Sequence, residues 1–154
     1  MKRLLICTLS VFTLATVAFG ATKSKDASVF GDLIKKYYQS WSTLDPDKAA
    51  SFYAQDADLV FFDVAPLEYT HGWKEYRDSF KANVAPTFAS LSITPHDDLK
   101  VTRKGHVALV TLTFRASIKP KEGEPMEFDG RHTLFLEKRG KHWLIVHEHI
   151  SKPL

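Results

Sequence analysis

Near the end of the chain, two histidines flank a glutamate in the run Trp143-Leu144-Ile145-Val146-His147-Glu148-His149-Ile150-Ser151. A strand is predicted here. Strand alternation puts Trp143, Ile145, His147, His149 and Ser151 on one face and Leu144, Val146, Glu148 and Ile150 on the other. In the strand-like run before it, Asp129, Arg131, Thr133 and Phe135 share a face, while Phe128, His132, Leu134 and Leu136 share the opposite one. A surface carrying Trp143, His147 and His149 beside Arg131 and Thr133 makes a wet pocket wall. Its imidazoles can move protons near neutral pH, and its guanidinium can hold an anion. The other assignment also stands: imidazoles and Arg131 on a solvated face, with Leu144, Val146 and Ile150 in the core. His147 and His149 lie about 6.5 Å apart along a strand, a spacing that serves zinc or iron once a third ligand is supplied. His132 falls on the face away from Arg131, and only the fold can bring Asp63 or His71 to the pair. No metal and no cofactor is therefore expected.

Asp63 follows the apolar run Leu59-Val60-Phe61-Phe62 and precedes Val64-Ala65-Pro66. A carboxylate at the mouth of an apolar cavity has a raised pKa, which suits a general base near neutrality. Its plainer role is to cap the turn that follows. Tyr37 and Tyr38 stand about 100° apart on a helix, so one of them faces inward. His71, just before Gly72-Trp73, sits where a loop meets a helix, either at a pocket rim or in open solvent. Trp41 and Trp73 serve as core or as ligand contacts. No Ser-His-Asp set, phosphate-cradling glycine loop or dinucleotide fingerprint is present.

These residues need elements to position them. Phe30, Leu33, Ile34, Tyr37, Tyr38 and Trp41 recur at helical spacing, with Ser28 as a candidate N-cap. Asp45 or Pro46 opens a short second helix. Trp73 to Phe88 reads as a third, ended or kinked by Pro86. Leu59 to Asp63 reads as a strand. Beyond residue 90 the period becomes two, and five further strands are predicted: 91–94, 98–103, 106–118, 126–138 and 142–151. Short connections between the last three imply an antiparallel meander. Its apolar face needs covering, and the N-terminal helices are the available cover, giving an α+β layer structure.

The chain has 154 residues, 44% hydrophobic and 25% charged, which fits one globular domain and excludes low-complexity classes. Met1-Lys2-Arg3, the uncharged run Leu4 to Phe19 and the small residues Ala18 and Gly20 form a secretory signal pattern with cleavage before Ala21. The sixteen-residue run is short for a membrane anchor, the rival reading. Without Lys2 and Arg3, nineteen basic residues face eighteen acidic ones. A near-neutral mature chain gives no electrostatic reason to bind nucleic acid. Cys7, the single cysteine, falls inside the signal, so the mature chain has neither disulfides nor thiolate chemistry. The expected organisation is a signal peptide over 1–20, a linker over 21–28 and a domain over 29–154. The expected location is periplasmic or secreted, with no stable membrane association after cleavage.

Four stretches carry a family resemblance. They are Tyr37-Tyr38-Gln39-Ser40-Trp41, Phe52-Tyr53-Ala54-Gln55-Asp56-Ala57-Asp58, His71-Gly72-Trp73-Lys74-Glu75-Tyr76, and Gly130-Arg131-His132-Thr133 continued by Gly140 to Ser151. In this order and spacing the chain resembles the NTF2-like superfamily, in particular its SnoaL-like and ketosteroid-isomerase-like members. The resemblance implies an NTF2-like cone, with helices packed on a curved antiparallel sheet around a deep pocket, often in a homodimer. It places Asp63 where ketosteroid isomerases carry their general base, and Tyr37 or Tyr38 where they carry an oxyanion donor. Their second donor is a protonated acid on a late strand, a region that here reads Arg131-His132-Thr133. A cation there favours a carboxylate or another anion. The reading is an exported domain that binds a small, partly apolar molecule with an anionic or carbonyl group. If it is an enzyme, the reaction is cofactor-free proton transfer. Asp63 or His149 is the base, Tyr38 and Arg131 stabilise the oxyanion, and Thr133, His147, Trp41, His71 and Trp143 contact the ligand. A non-catalytic binding or oligomerisation module and a metal enzyme built on His147 and His149 are the alternatives, because the superfamily hosts many functions.

Overall fold

The apolar spacing of the N-terminal segment produces helix α1 (Lys25–Trp41), whose inward stripe is Phe30, Ile34, Tyr37, Tyr38 and Trp41. The computed structural model describes residues 25–56, 59–64 and 70–153, so the segment read as a signal peptide lies outside the described residues. Helix α1 starts three residues before Ser28, and part of the segment read as linker is therefore helical. Helix α2 (Pro46–Ala49) is capped by the Asp45 carboxylate, which accepts the Asp47 N–H at 3.0 Å. Proline suits its first position because that N–H would have no partner. A 3₁₀ turn over Ala50–Phe52 follows.

Strands β1 (Val60–Phe62) and β2 (Thr70–His71) lead into helix α3 (Gly72–Ser79). Gly72 enters this helix at φ 72°, a left-handed conformation that a side chain would resist. The third helix is shorter than the sequence pattern suggests. It widens into a π turn over Phe80–Val84, and strand β3 (Phe88–Pro95) begins at the residue where the helix was expected to end. Pro86, with no N–H to donate, forbids its continuation. Strands β4 (Lys100–Lys104), β5 (Val107–Pro120), β6 (Met126–Arg139) and β7 (His142–Ser151) complete the chain.

The sheet runs β2-β1-β7-β6-β5-β3, with β4 also paired to β5. It is mixed rather than purely antiparallel, because β1 runs parallel to β7, with Phe61 opposite Glu148. Parallel neighbours need a long crossover, and nearly the whole sheet intervenes in sequence between these two strands. Even-numbered residues of β5 and β6 face inward: Ala108, Val110, Leu112, Phe114, Ala116, His132, Leu134 and Leu136 are all buried. Helix α1 closes this inner face, packing Phe30 and Ile34 into the same core.

Two irregularities shape the inner face. Phe135 pairs with His147 while Leu136 pairs with Ile145, so Val146 is an extra residue in β7. Such a bulge resets the alternation of the strand beyond it. The second is Gly130, opposite Phe114 on β5. A Cβ at this glycine would collide with the Phe114 ring. The ring rests on bare backbone, and any side chain at 130 would push it into the space under the helices. Gly130→Ala is expected to cost about 1–3 kcal/mol, the usual range for overpacking, as measured by chemical denaturation.

Candidate active site

Helix α1, helix α3 with its π turn, and the inner face of the sheet enclose a cavity of about 340 Å³. Its walls are largely apolar: Phe80 and Val84 on the helical side, Leu91 and Ile93 from β3, Phe114, Ala116 and Ile118 from β5, and Met126 and Phe128 from β6. The polar or charged groups on it are Tyr37, Tyr38, Trp41, Asp63, Tyr76, Glu148 and Lys152.

The innermost of these form one connected set. Glu148 is 2% exposed, and its Oε2 accepts the hydroxyls of Tyr37 at 2.8 Å and Tyr53 at 3.1 Å. The two tyrosine oxygens are themselves 2.7 Å apart, and the Trp41 indole N–H donates to Tyr53 at 3.1 Å. Tyr38 Oη lies 3.0 Å from His132 Nδ1. The other imidazole nitrogen, Nε2, is buried without a hydrogen bond and faces Glu148 Oε2 across 3.6 Å. That separation gives electrostatic contact but exceeds hydrogen-bond reach. Burial, followed by the nearby Glu148 charge, holds Tyr37, Tyr38 and Tyr53 well above the ordinary tyrosine range, so all three stay protonated as hydroxyls.

Asp63, just beyond the end of β1, lies on the cavity wall near this set. Val64 donates its backbone N–H to Oδ1 at 2.6 Å, and the Tyr76 hydroxyl donates to Oδ2 at 3.3 Å. The Tyr76 ring stacks on Phe61 with centroids 3.8 Å apart, which fixes the donor. Asp63 is an exposed residue whose carboxylate loses hydration on the cavity side, which raises its pKa, and the Glu148 charge adds to this. The Val64 and Tyr76 hydrogen bonds and His132 pull it back without cancelling the rise.

The structure thus brings Asp63, Tyr38 and Trp41 of the sequence-expected site to one cavity. Arg131, Thr133, His147 and His149 are not on it, nor is Trp143. On β6 the odd positions face outward because His132, Leu134 and Leu136 take the core. On β7 the bulge at Val146 breaks the single face expected from Trp143 to Ser151. Before it, Trp143 packs against Phe30 at 5.0 Å between ring centroids and Ile145 is buried. After it, Glu148, Ile150 and Lys152 point inward, while His147 and His149 flank Phe62 on the outer side. His71 pairs through its backbone with Val60, and its side chain lies outside the described part of the molecule. Among the described residues no three His, Cys, Asp or Glu side chains converge on a point that would hold a metal ion.

Sequence reasoning missed His132, Glu148, Tyr53 and Tyr76 as functional groups. The available signal was a polar residue at an otherwise apolar position. His132 stands between Phe128 and Leu134 on the face assigned to the core, and Glu148 stands between Val146 and Ile150. A buried, hydrogen-bonded polar side chain among hydrophobes demands a reason.

The model of the SnoaL-like domain family matches residues 31–154. The chain belongs to this family. Solved structures share the fold of this SnoaL-like protein. A nuclear transport factor 2 (NTF2-like) superfamily protein from Salmonella enterica serovar Typhimurium superposes with a TM-score of 0.75 at 18% identity, over 82% of this chain and 90% of that one. An NTF2-like protein of unknown function from Pseudomonas putida gives 0.70 at 23%, over 86% and 89%. A protein from Novosphingobium aromaticivorans, provisionally named a scytalone dehydratase, gives 0.73 at 14%, over 84% and 85%. No functionally curated protein matches the chain.

Proposed function

We propose that this SnoaL-like domain binds a small, largely apolar molecule in the cavity and moves a proton on it, with Asp63 as general base. The observation that carries this reading is a carboxylate of raised pKa on the wall of an apolar cavity, oriented by Tyr76 and the Val64 N–H. Such a group takes a proton from a carbon acid more readily than an ordinary aspartate, since its basicity is closer to working pH. Tyr38 meets the negative charge that develops on the substrate oxygen. When His132 donates from Nδ1 to the Tyr38 oxygen, the hydroxyl proton of Tyr38 is left for the ligand. Glu148 Oε2 faces the far side of the imidazole at 3.6 Å. Isomerisation and dehydration both use this abstraction step, and the provisional name of the Novosphingobium neighbour supports a reaction of the second kind.

The test is exchange of the α-protons of 2-tetralone, an apolar bicyclic ketone, for deuterium in D₂O, followed by NMR. Wild-type protein should accelerate exchange above buffer, and Asp63→Asn should not. Binding of an apolar probe without any exchange would make the domain a binding module instead.

We also propose that the outer face of the sheet joins two copies. Leu109, Phe135 and Phe62 are each more than one third exposed there, and Leu109, Phe135 and His147 are cross-strand neighbours in one row. The outward series on β6 is Asp129, Arg131, Thr133, Phe135, Glu137, Arg139. Reversed, it meets its own opposite charges: a second β6 laid antiparallel sets Arg131 against Glu137 and Asp129 against Arg139, the self-complementarity a two-fold interface requires. Light scattering on a size-exclusion column should give a dimer for wild type and a monomer for Arg131→Glu. Adding Glu137→Arg to that variant should restore the dimer. A monomeric wild type at tens of micromolar overturns the assignment.

A further inference from the structure

The charges on the cavity wall are segregated. Among the described residues that line it, three carry charge: Asp63, Glu148 and Lys152. Glu148, Ile150 and Lys152 are successive inward positions on one line of chain, so the carboxylate and the ammonium are separated by roughly 13 Å along it. Glu148 marks the closed end, packed among Tyr37, Tyr53 and His132. Asp63 stands one residue beyond Phe62, which pairs with His149, so it lies between the two levels. Lys152 is exposed, with Nζ 5.6 Å above the Phe128 ring. It makes no hydrogen bond or ion pair among the described residues, and exposed Met126 lines the same mouth.

The hydroxyl protons reinforce this polarity. Tyr76 gives its proton to Asp63, and Tyr37 gives its to Glu148. Buried Glu148 at the inner end and Asp63 partway out are carboxylates already served by donors, and an anionic ligand group placed between them would meet two like charges. At the mouth the opposite holds: a cation without a counter-charge lies over an aromatic ring, beside apolar wall.

We propose that the ligand is an amphipathic acid bound in one orientation. Its apolar, ring-sized body fills the cavity, a neutral proton-yielding centre lies at Asp63, and a carboxylate or other anion at its outer end pairs with Lys152. This rests on the cavity being the ligand site, and it replaces Arg131, which the fold puts on the other side of the sheet, as the anion-binding cation.

Two fluorescent probes with the same ring skeleton separate the parts of the claim: N-phenyl-1-naphthylamine, which is neutral, and 1-anilinonaphthalene-8-sulfonate, which carries an anion. Both should bind wild type, and both should be lost in Ala116→Trp, which fills the cavity. Lys152→Met should weaken the sulfonate about fivefold and leave the neutral probe within twofold, in line with a solvent-accessible charge pair. Lys152→Glu should weaken the sulfonate further. Raising the salt concentration should weaken the sulfonate alone. If both probes respond equally to Lys152→Met, or neither responds, the orientation is wrong while the cavity stands. If the neutral probe fails to bind, or still binds to Ala116→Trp, the cavity reading itself falls, and this inference with it.

Discussion

Asp63→Asn is expected to slow α-proton exchange on 2-tetralone by roughly 100- to 10,000-fold, the range a positioned general base supplies, while making the protein more stable at neutral pH. The two effects share one cause. The substituted amide keeps an oxygen for the Val64 N–H or the Tyr76 hydroxyl, so the local hydrogen bonding survives. What goes is a basic electron pair and a charge that the cavity wall partly strips of water. The Asp63 pKa is raised in the folded protein. Between its unfolded and folded values the native state binds the extra proton, so stability falls as pH rises through that window and stays lower above it. The substitution removes this loss. Its stabilising effect should therefore appear above the window and vanish below it, as thermal melts across pH 3 to 8 would reveal. Activity has the opposite sign: wild-type exchange should climb as Asp63 ionises and level off above its raised pKa. An Asp63→Asn protein that keeps its rate, or that melts lower than wild type at pH 7, rules out a partly desolvated catalytic carboxylate at this position.

The order of elements was legible because each rests on a local pattern. The 3.6-residue spacing from Phe30 to Trp41 and the two-residue alternation from His106 onward survive into α1, β5 and β6 with small shifts at their ends. The site was less legible, for two physical reasons. A one-residue bulge leaves no mark in a two-residue pattern: Ile145 and Glu148 are both inward, yet stand three apart, and nothing in Ile145-Val146-His147-Glu148 announces the extra residue. Moreover, histidine and arginine on a strand look equally at home in a wet pocket and on a solvated outer face. Asp63, Tyr38 and Trp41 reach the cavity because Asp63 ends an apolar strand and the two aromatics lie on the apolar stripe of α1. Glu148 and His132 were passed over because a charged or titratable residue at a core position contradicts the pattern that identifies the core. The π turn at Phe80–Val84 and the parallel β1–β7 pair likewise depend on the assembled tertiary structure.

Glu148 gives the second large effect. Glu148→Ala removes the acceptor for Tyr37 and Tyr53 and leaves His132 Nε2 facing a void in place of a carboxylate. Breaking a buried charged set from one side costs about 3–5 kcal/mol, because the groups left behind have lost both water and partner. For a domain of this size that lowers the melting temperature by on the order of 10 °C. Glu148→Gln, which keeps an oxygen for one tyrosine, should cost about 1 kcal/mol. A loss below about 1 kcal/mol in the alanine variant would mean that the buried network is not formed as described. The triple variant Tyr37→Phe, Tyr53→Phe, Glu148→Leu asks what the network is for. It removes the two tyrosine donors and their acceptor together and fills their space with carbon, leaving the Trp41 N–H and His132 as the members that lose a partner, and apolar replacement of most of a buried polar set costs far less than breaking it from one side. Recovery of most of the lost stability, with α-proton exchange still impaired, would mean that the core does not need this carboxylate for folding. Glu148 is then retained for what it does to His132 and, through His132, to the hydroxyl that Tyr38 offers the ligand.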